Sequence, residues 1–236
     1  MKILALETSA KSVSAAVTED GVLLALSYQN SGLTHSRTLM PLVAHVLGAA
    51  SLTMDDVGLV AVAHGPGSFT GLRIGVSAAK GLAWAKELPC CGVSTLEAMA
   101  RGASDFDGLI VCAMDARRQQ VYHALFLSEN GRLTRLRDDC AVSLEELSAD
   151  LRTRPQPKLV VGDGAQLCYD YLTSHNIACR LAAPDHRFQS AAGVALTAED
   201  MVRRGETCSA QELRPVYLRL SQAERERLAR GLSLTE

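Results

Sequence analysis

Apolar runs and polar corners follow one another along this chain in an order that occurs twice. The first series opens with a buried-strand run at 3–6 and a polar corner at 7–11. A partly alternating strand at 12–18, an Asp20-Gly21 hairpin signal and a strand at 22–28 come next. After a polar loop at 30–34, Leu39, Leu42, Val43, Val46 and Leu47 fall on one helical stripe. Thr34 or Ser36 caps that helix, Pro41 is tolerated only near its start, and Gly48 or Ser51 ends it. The apolar run 57–63 leads into a glycine-rich loop at 64–71 and then a helix over 71–87, stopped by Pro89. An extended piece at 92–94 and a helix from Ser94 or Thr95 to Ala100 complete the series.

The second series repeats the plan. A strand run at 109–114 meets a polar corner at 115–119. A strand at 120–127, an Asn130-Gly131 turn and a strand at 132–137 follow, and then a helix at 144–151. A proline-rich connector at 154–158 leads to a strand at 159–161, the loop Gly162-Asp163-Gly164 and a helix at 165–174. Glu7 and Asp115 occupy the same corner, with Val13 and Val121 the same distance beyond. A further helix at 191–204 and a short ordered stretch at 215–219 precede a polar end. The pattern predicts a duplicated α/β protein: one half at 1–105, a second at 106–220 whose last helices return to the first, and a polar tail at 221–236. Each half is expected to be a mixed sheet flanked by helices. This order of elements is similar to that of the actin, Hsp70 and sugar-kinase superfamily, which implies the duplicated actin-like ATPase fold.

Composition narrows the function. The 236 residues are 47% hydrophobic, ample for a core, but only 4% aromatic, so small apolar groups fill much of the interior. With 24 basic and 26 acidic side chains the net charge is -2, which argues against unaided binding of RNA or DNA. Seven cysteines, an odd number with no C-x-x-C pair, read as free thiols in a reducing compartment. The apolar run after Lys2 ends at Glu7, too short for a signal peptide, and no window approaches the ~20 apolar residues of a membrane span. The expected location is the cytoplasm.

The glycine-rich loop, with strand before and helix after, has the form of an anion cradle. Gly65, Gly67, Ser68 and Thr70 are the residues that would hold a phosphate. Kinase or ATPase chemistry would need carboxylates near the transferred phosphate, and Glu7 and Asp115 are the candidates. The alternative for Glu7 is a carboxylate that caps its own turn. No histidine pair at i, i+4 exists for a metal, so no metal site is expected; His64, beside the loop, is the histidine nearest a site. Ser68 does not sit in a nucleophile elbow, and no catalytic residue is assigned. A site-like scaffold with so little to run chemistry points to a relative of an enzyme kept for binding.

The block from His64 to Gly75, HGPGSFTGLRIG, followed by Ala78-Ala79-Lys80-Gly81-Leu82, closely resembles the TsaB (YeaZ) family. The opening Ile3-Leu4-Ala5-Leu6-Glu7-Thr8-Ser9, the stretch Thr34-His35-Ser36-Arg37, Asp115-Ala116-Arg117 and Pro215-Val216-Tyr217-Leu218-Arg219 match it too. The resemblance implies a non-catalytic subunit in the actin-like fold, working with the catalytic paralogue TsaD and the ATPase TsaE. Together they transfer threonylcarbamoyl from threonylcarbamoyl-AMP to the adenosine beside the anticodon in tRNAs that read codons beginning with A. It implies pairing with TsaD, or with itself when alone, through N-terminal helices, and contact with tRNA only through the complex. It assigns no cofactor to the chain itself and leaves ATP or ADP an option at the interface with TsaD. On this reading Leu39, Val43, Val46, Leu72, Arg73, Val76, Ala79 and Ala83 form the partner surface. A charge at Ala79 is expected to block pairing and leave the fold intact. The alternative function is an independent small-molecule kinase or ATPase.

Overall fold

The computed structural model describes residues 1–220 and Arg227, so the polar tail expected at 221–236 lies outside the described residues apart from that one position. The first half runs β1 (Lys2–Glu7), β2 (Val13–Glu19), β3 (Val22–Gln29), α1 (His35–Ala49), a 3-10 turn (Met54–Asp56), β4 (Leu59–Gly65), α2 (Phe69–Trp84), β5 (Cys90–Ser94) and α3 (Thr95–Arg101). The second runs β6 (Gly108–Asp115), β7 (Gln120–Glu129), β8 (Arg132–Ser143), α4 (Leu144–Arg152), β9 (Lys158–Val161), α5 (Ala165–Ser174), β10 (Arg180–Leu181) and α6 (Ala191–Arg203).

The two sheets have the same topology, β3-β2-β1-β4-β5 and β8-β7-β6-β9-β10. In each, an antiparallel meander of three strands meets two strands that run parallel to the first. This is the duplicated actin-like α/β fold. β1 and β6 are central and read as unbroken apolar runs because both of their faces are covered.

Four apolar clusters fill the four sheet faces. Leu4, Leu6, Val60 and Val62 pack outward against α1 and α2, whereas Ile3, Ala5, Leu59 and Ala61 pack inward against α6. Val111, Leu125 and Val160 pack outward against α4 and α5; Ile110, Cys112 and Phe126 pack inward against α3. The third helix of each half therefore covers the sheet of the other half, and α3 and α6 meet between the sheets. Gly193 permits that meeting, since a Cβ there would lie 2.2 Å from the Ala98 carbonyl oxygen.

Three elements differ from the sequence pattern. β8 runs on to Ser143 past the expected end at 137, because irregular pairing with β7 lets the strand bend and continue. β10 has two residues, too few for any period to register. The 3-10 turn is fixed by a capping box between Thr53 and Asp56 rather than by apolar spacing. The stretch at 215–219 has no regular secondary structure, and side-chain and backbone contacts hold it.

Candidate functional site

The two polar corners face each other across a cleft of about 630 Å³, whose lining includes Ser9, Lys11, Ser68, Thr70, Asp115, Arg117, Asp163 and Arg219. The corner carboxylates do the same local work. Glu7 Oε1 accepts the Ser9 N–H at 2.5 Å, and Asp115 Oδ1 accepts the Arg117 N–H at 2.7 Å. Each closes its own hairpin corner two residues on, as an Asx-type cap does. Glu7 is fully buried, and burial pushes its carboxyl up to about 7, with Ser9 opposing and Asp163 adding to the rise. Its second oxygen has no partner among the described residues. Asp163 is also raised by burial, while its bond from the Gln189 amide opposes the rise.

The glycine loop is filled by this chain's own backbone. A Cβ on Gly67 would lie 2.5 Å from the Ser9 carbonyl oxygen, and on Gly65 2.2 Å from that of Val216. Ser68 N–H is spent on Ser9 O at 2.7 Å, and the Ser68 hydroxyl caps α2 through Gly71 N–H. The second loop behaves alike, for a Cβ on Gly162 would lie 2.1 Å from the Ala113 carbonyl oxygen. Gly67, Ser68 and Thr70 do line the cleft, but Gly65 does not. Close packing of the loops on the corners accounts for their glycines without a phosphate.

A C-terminal strap closes one side of the cleft. Val216 N–H donates to His64 O at 2.7 Å, and the Tyr217 ring stacks on Phe69 with centroids 4.4 Å apart. Arg73 lies over Phe69 and donates to the Tyr217 hydroxyl, while Arg219 reaches across to donate to Ala116 O. Periodicity could not reveal this strap, because its contacts are long-range. His64 points away from the cleft, against Gly92 of β5, and burial lowers its pKa. His123 is a core residue whose Nδ1–H donates to Cys112 O at 2.9 Å, with its pKa brought down to about 4 by burial. Among the described residues no group of His, Cys, Asp and Glu could hold a metal ion, and no helix is long and apolar enough to cross a membrane.

The expected partner surface needs correction. Leu39, Val43, Val46, Leu72, Val76, Ala79 and Ala83 are all under a tenth exposed, and all but Leu72 belong to the cluster on the outer face of the first sheet. The apolar stripe of each helix is its core side, because the sheet beneath presents a complementary apolar face. Of the eight residues only Arg73 is on the surface, and it is occupied in holding the strap. A charge at Ala79 would fall inside the core. The surface of the two helices includes Met40, Ala44, Gly48 and Ala49 of α1 with Ser77, Gly81 and Trp84 of α2, beside the polar or charged Ser36, Arg37, His45, Thr70 and Arg73. Gly71 and Gly75 are explained by the corner under them, since their Cβ atoms would strike Thr8 O at 2.1 Å and Thr8 Oγ1 at 2.3 Å. Gly48 and Gly81 meet nothing within 4 Å. Their smallness serves no contact within the described part of the chain.

Comparison with known proteins gives one consistent result. The family model "TsaD: tRNA N6-adenosine threonylcarbamoyltransferase" matches residues 29–226. The tRNA threonylcarbamoyladenosine biosynthesis protein TsaB of Bacillus subtilis is 33% identical over 228 residues, 95% of this chain and 96% of that protein. TsaB of Escherichia coli is 32% identical over 222 residues, 93% and 95% of the two chains. A solved structure of YeaZ from Pseudomonas aeruginosa superposes with a TM-score of 0.78 at 26% identity, covering 92% of this chain and 99% of that one.

Proposed function

This chain belongs to the TsaB (YeaZ) family, and on that premise we propose that it serves tRNA threonylcarbamoyladenosine biosynthesis as a non-catalytic assembly subunit. Its partner is a TsaD-type paralogue, which carries the transfer of threonylcarbamoyl to the tRNA adenosine, with a TsaE-type ATPase in the same assembly. The chain pairs with the paralogue through the outward faces of α1 and α2, and with a second copy of itself when the paralogue is missing. tRNA is held by the assembly rather than by this near-neutral chain. Nucleotide, where present, belongs to the interface and not to the glycine loop, whose space is taken by backbone.

The observation that carries this reading is the pair of open glycines, Gly48 and Gly81, on the exposed side of two adjacent helices. Glycine within a helix costs up to roughly 1 kcal/mol relative to alanine, and less in the last turn, where Gly48 and Gly81 lie. Nothing in the described part of the chain recovers that cost, whereas close approach of a partner helix would. The corner carboxylates support the non-catalytic part, since both are engaged in capping their own turns.

The test is reconstitution with purified proteins from the source organism. Threonylcarbamoyl transfer to tRNA by the TsaD-type and TsaE-type proteins should depend on this chain and survive its Asp115→Asn variant. The chain alone should turn over neither ATP nor a small-molecule acceptor. Transfer at full rate without the chain, or hydrolysis by the isolated chain that Asp115→Asn abolishes, would sink the reading in favour of an independent kinase or ATPase.

A further inference from the structure

Helix α2 ends in an arrangement that local physics disfavours twice. Leu88 N–H donates to Ala83 O at 3.0 Å and Glu87 N–H to Trp84 O at 3.3 Å, the two bonds of a Schellman cap. The position that must turn left-handed in such a cap is normally glycine. Here it is Glu87, with φ +50°. A carboxylate at this end also faces the negative pole of the helix. Among the described residues its side chain makes no hydrogen bond or ion pair that would compensate.

Beside Glu87 stands Trp84, the chain's only tryptophan, 65% exposed. The two border a groove of about 620 Å³ walled by Leu88, Pro89 and Ala210. The neighbouring charges are already engaged. Lys86 pairs with Asp55, Lys80 donates to Gln211 O and Leu213 O, and the Glu212 carboxylate is held by Ser209 N–H and Oγ. What remains open is an indole face, a carboxylate, the negative pole of a helix and an apolar wall. That set is complementary to a planar cation on an aliphatic stem.

We propose that this groove receives an arginine side chain of the partner protein, its guanidinium stacked on Trp84 and hydrogen-bonded to Glu87. Arginine fits better than lysine because its flat fork can stack and pair with a carboxylate in one pose. The inference rests on the pairing reading above and refines it. Gly81 lies one turn before Trp84 on the same exposed stripe, so the groove continues the surface offered to the partner.

The experiment is titration of the purified TsaD-type partner into the full chain and five variants, with affinity, unfolding temperature and tryptophan emission as readouts. Glu87→Gly should raise the unfolding temperature, because it relieves the left-handed strain and the dipole conflict. It should nevertheless weaken partner binding about tenfold. Glu87→Gln should weaken binding while gaining only the smaller, charge-related part of the stability, because the left-handed strain remains. Trp84→Ala should leave the fold intact and weaken binding at least as much, while Trp84→Phe retains part of the affinity. Binding should shift the emission attributable to Trp84, taken as the difference between the native chain and Trp84→Phe. If the Glu87 and Trp84 variants bind like the native chain while Gly81→Glu does not, the arginine groove is wrong and the pairing reading stands. If the native chain itself does not bind, the pairing reading fails and takes this inference with it. A fall in unfolding temperature for Glu87→Gly would make Glu87 a structural residue and overturn the proposal.

Discussion

The outer helices of the two halves share topology but not surface. In the second half α4 and α5 cover their sheet and turn Glu145, Glu146, Arg152, Gln166, Asp170 and Thr173 outward, with Leu167 as the one large apolar group exposed. In the first half α1 and α2 cover the equivalent sheet face and turn outward Met40, Ala44, Gly48, Ala49, Ser77, Gly81 and Trp84, alongside Ser36, Arg37, Pro41, His45, Thr70 and Arg73. Both pairs bury a stripe of the same kind against the same kind of sheet. The exposed carboxylates belong to the second pair alone, and the exposed glycines to the first alone. The difference lies in which residues a helix leaves exposed, not in how apolar it is. Four charged side chains on α4 and α5 would each need a partner or lose solvation on close approach of another helix. Small residues on α1 and α2 allow that approach at no such cost.

Substitutions can break this contrast, beginning with the largest effect. Ala79→Glu places a charge on the core side of α2, where the native side chain is fully buried. Burial of an unpaired carboxylate should destabilise the chain by roughly 4 kcal/mol or more, read as loss of a cooperative transition in urea.

The pH dependence sets one half against the other. Glu7, in the first half, has a folded-state pKa of about 7 against an ordinary 4.5. The folded form therefore holds its proton longer than the unfolded form, and stability falls as pH rises from about 4.5 to 7. His123, in the second half, has a folded-state pKa of about 4 against 6.5. The unfolded form there takes the proton first, so stability falls as pH drops from 6.5 to 4. Each shift corresponds to about 3 kcal/mol by linkage. The two slopes oppose one another, and urea midpoints of the native chain should change little between pH 5 and 6.5. Glu7→Gln should expose the His123 slope, with stability rising across that window. A variant as flat as the native chain would contradict the assignment to Glu7.

Smaller effects compare the glycine loops. Gly71→Ala and Gly162→Ala each drive a methyl group into a carbonyl oxygen at 2.1 Å, that of Thr8 in the first half and Ala113 in the second. Both should cost about 1–3 kcal/mol, Gly162→Ala the more because its φ is +111°. Costs of this size in both halves would agree with loops that serve packing. The smallest effect has the opposite sign. Gly48→Ala and Gly81→Ala should each stabilise the isolated chain by up to about 1 kcal/mol, since the added methyl meets nothing within 4 Å.

The fold was largely legible in the sequence because the signals are local. The Asp20-Gly21 and Asn130-Gly131 turns, the apolar runs at 3–6 and 109–114, and the twin corners at Glu7 and Asp115 mark each meander. The exchange of α3 and α6 between sheets depends on contacts far apart in the chain and leaves no period. The site was legible only in part. The apolar stripe of α1 and α2 could be seen, but apolarity marks the face buried against the chain's own sheet. The face proposed for a partner carries small residues without apolar spacing, and only exposure separates Gly81 from Gly75. The glycine loop misled in the same way. Its glycines answer close backbone approach by Ser9, Thr8 and Val216, a requirement that a sequence pattern cannot tell from a phosphate cradle.

The central claim, that the outward face of α1 and α2 presents this chain to a paralogous partner, is tested most directly by the dissociation constant of Gly81→Glu for the purified TsaD-type protein. Glutamate favours the helix more than glycine and projects into solvent, so the isolated variant should unfold at or above the native temperature. Its affinity for the partner should fall a hundredfold or more, since a charge would be trapped between closely packed helices. Native affinity in a folded Gly81→Glu chain would contradict the account.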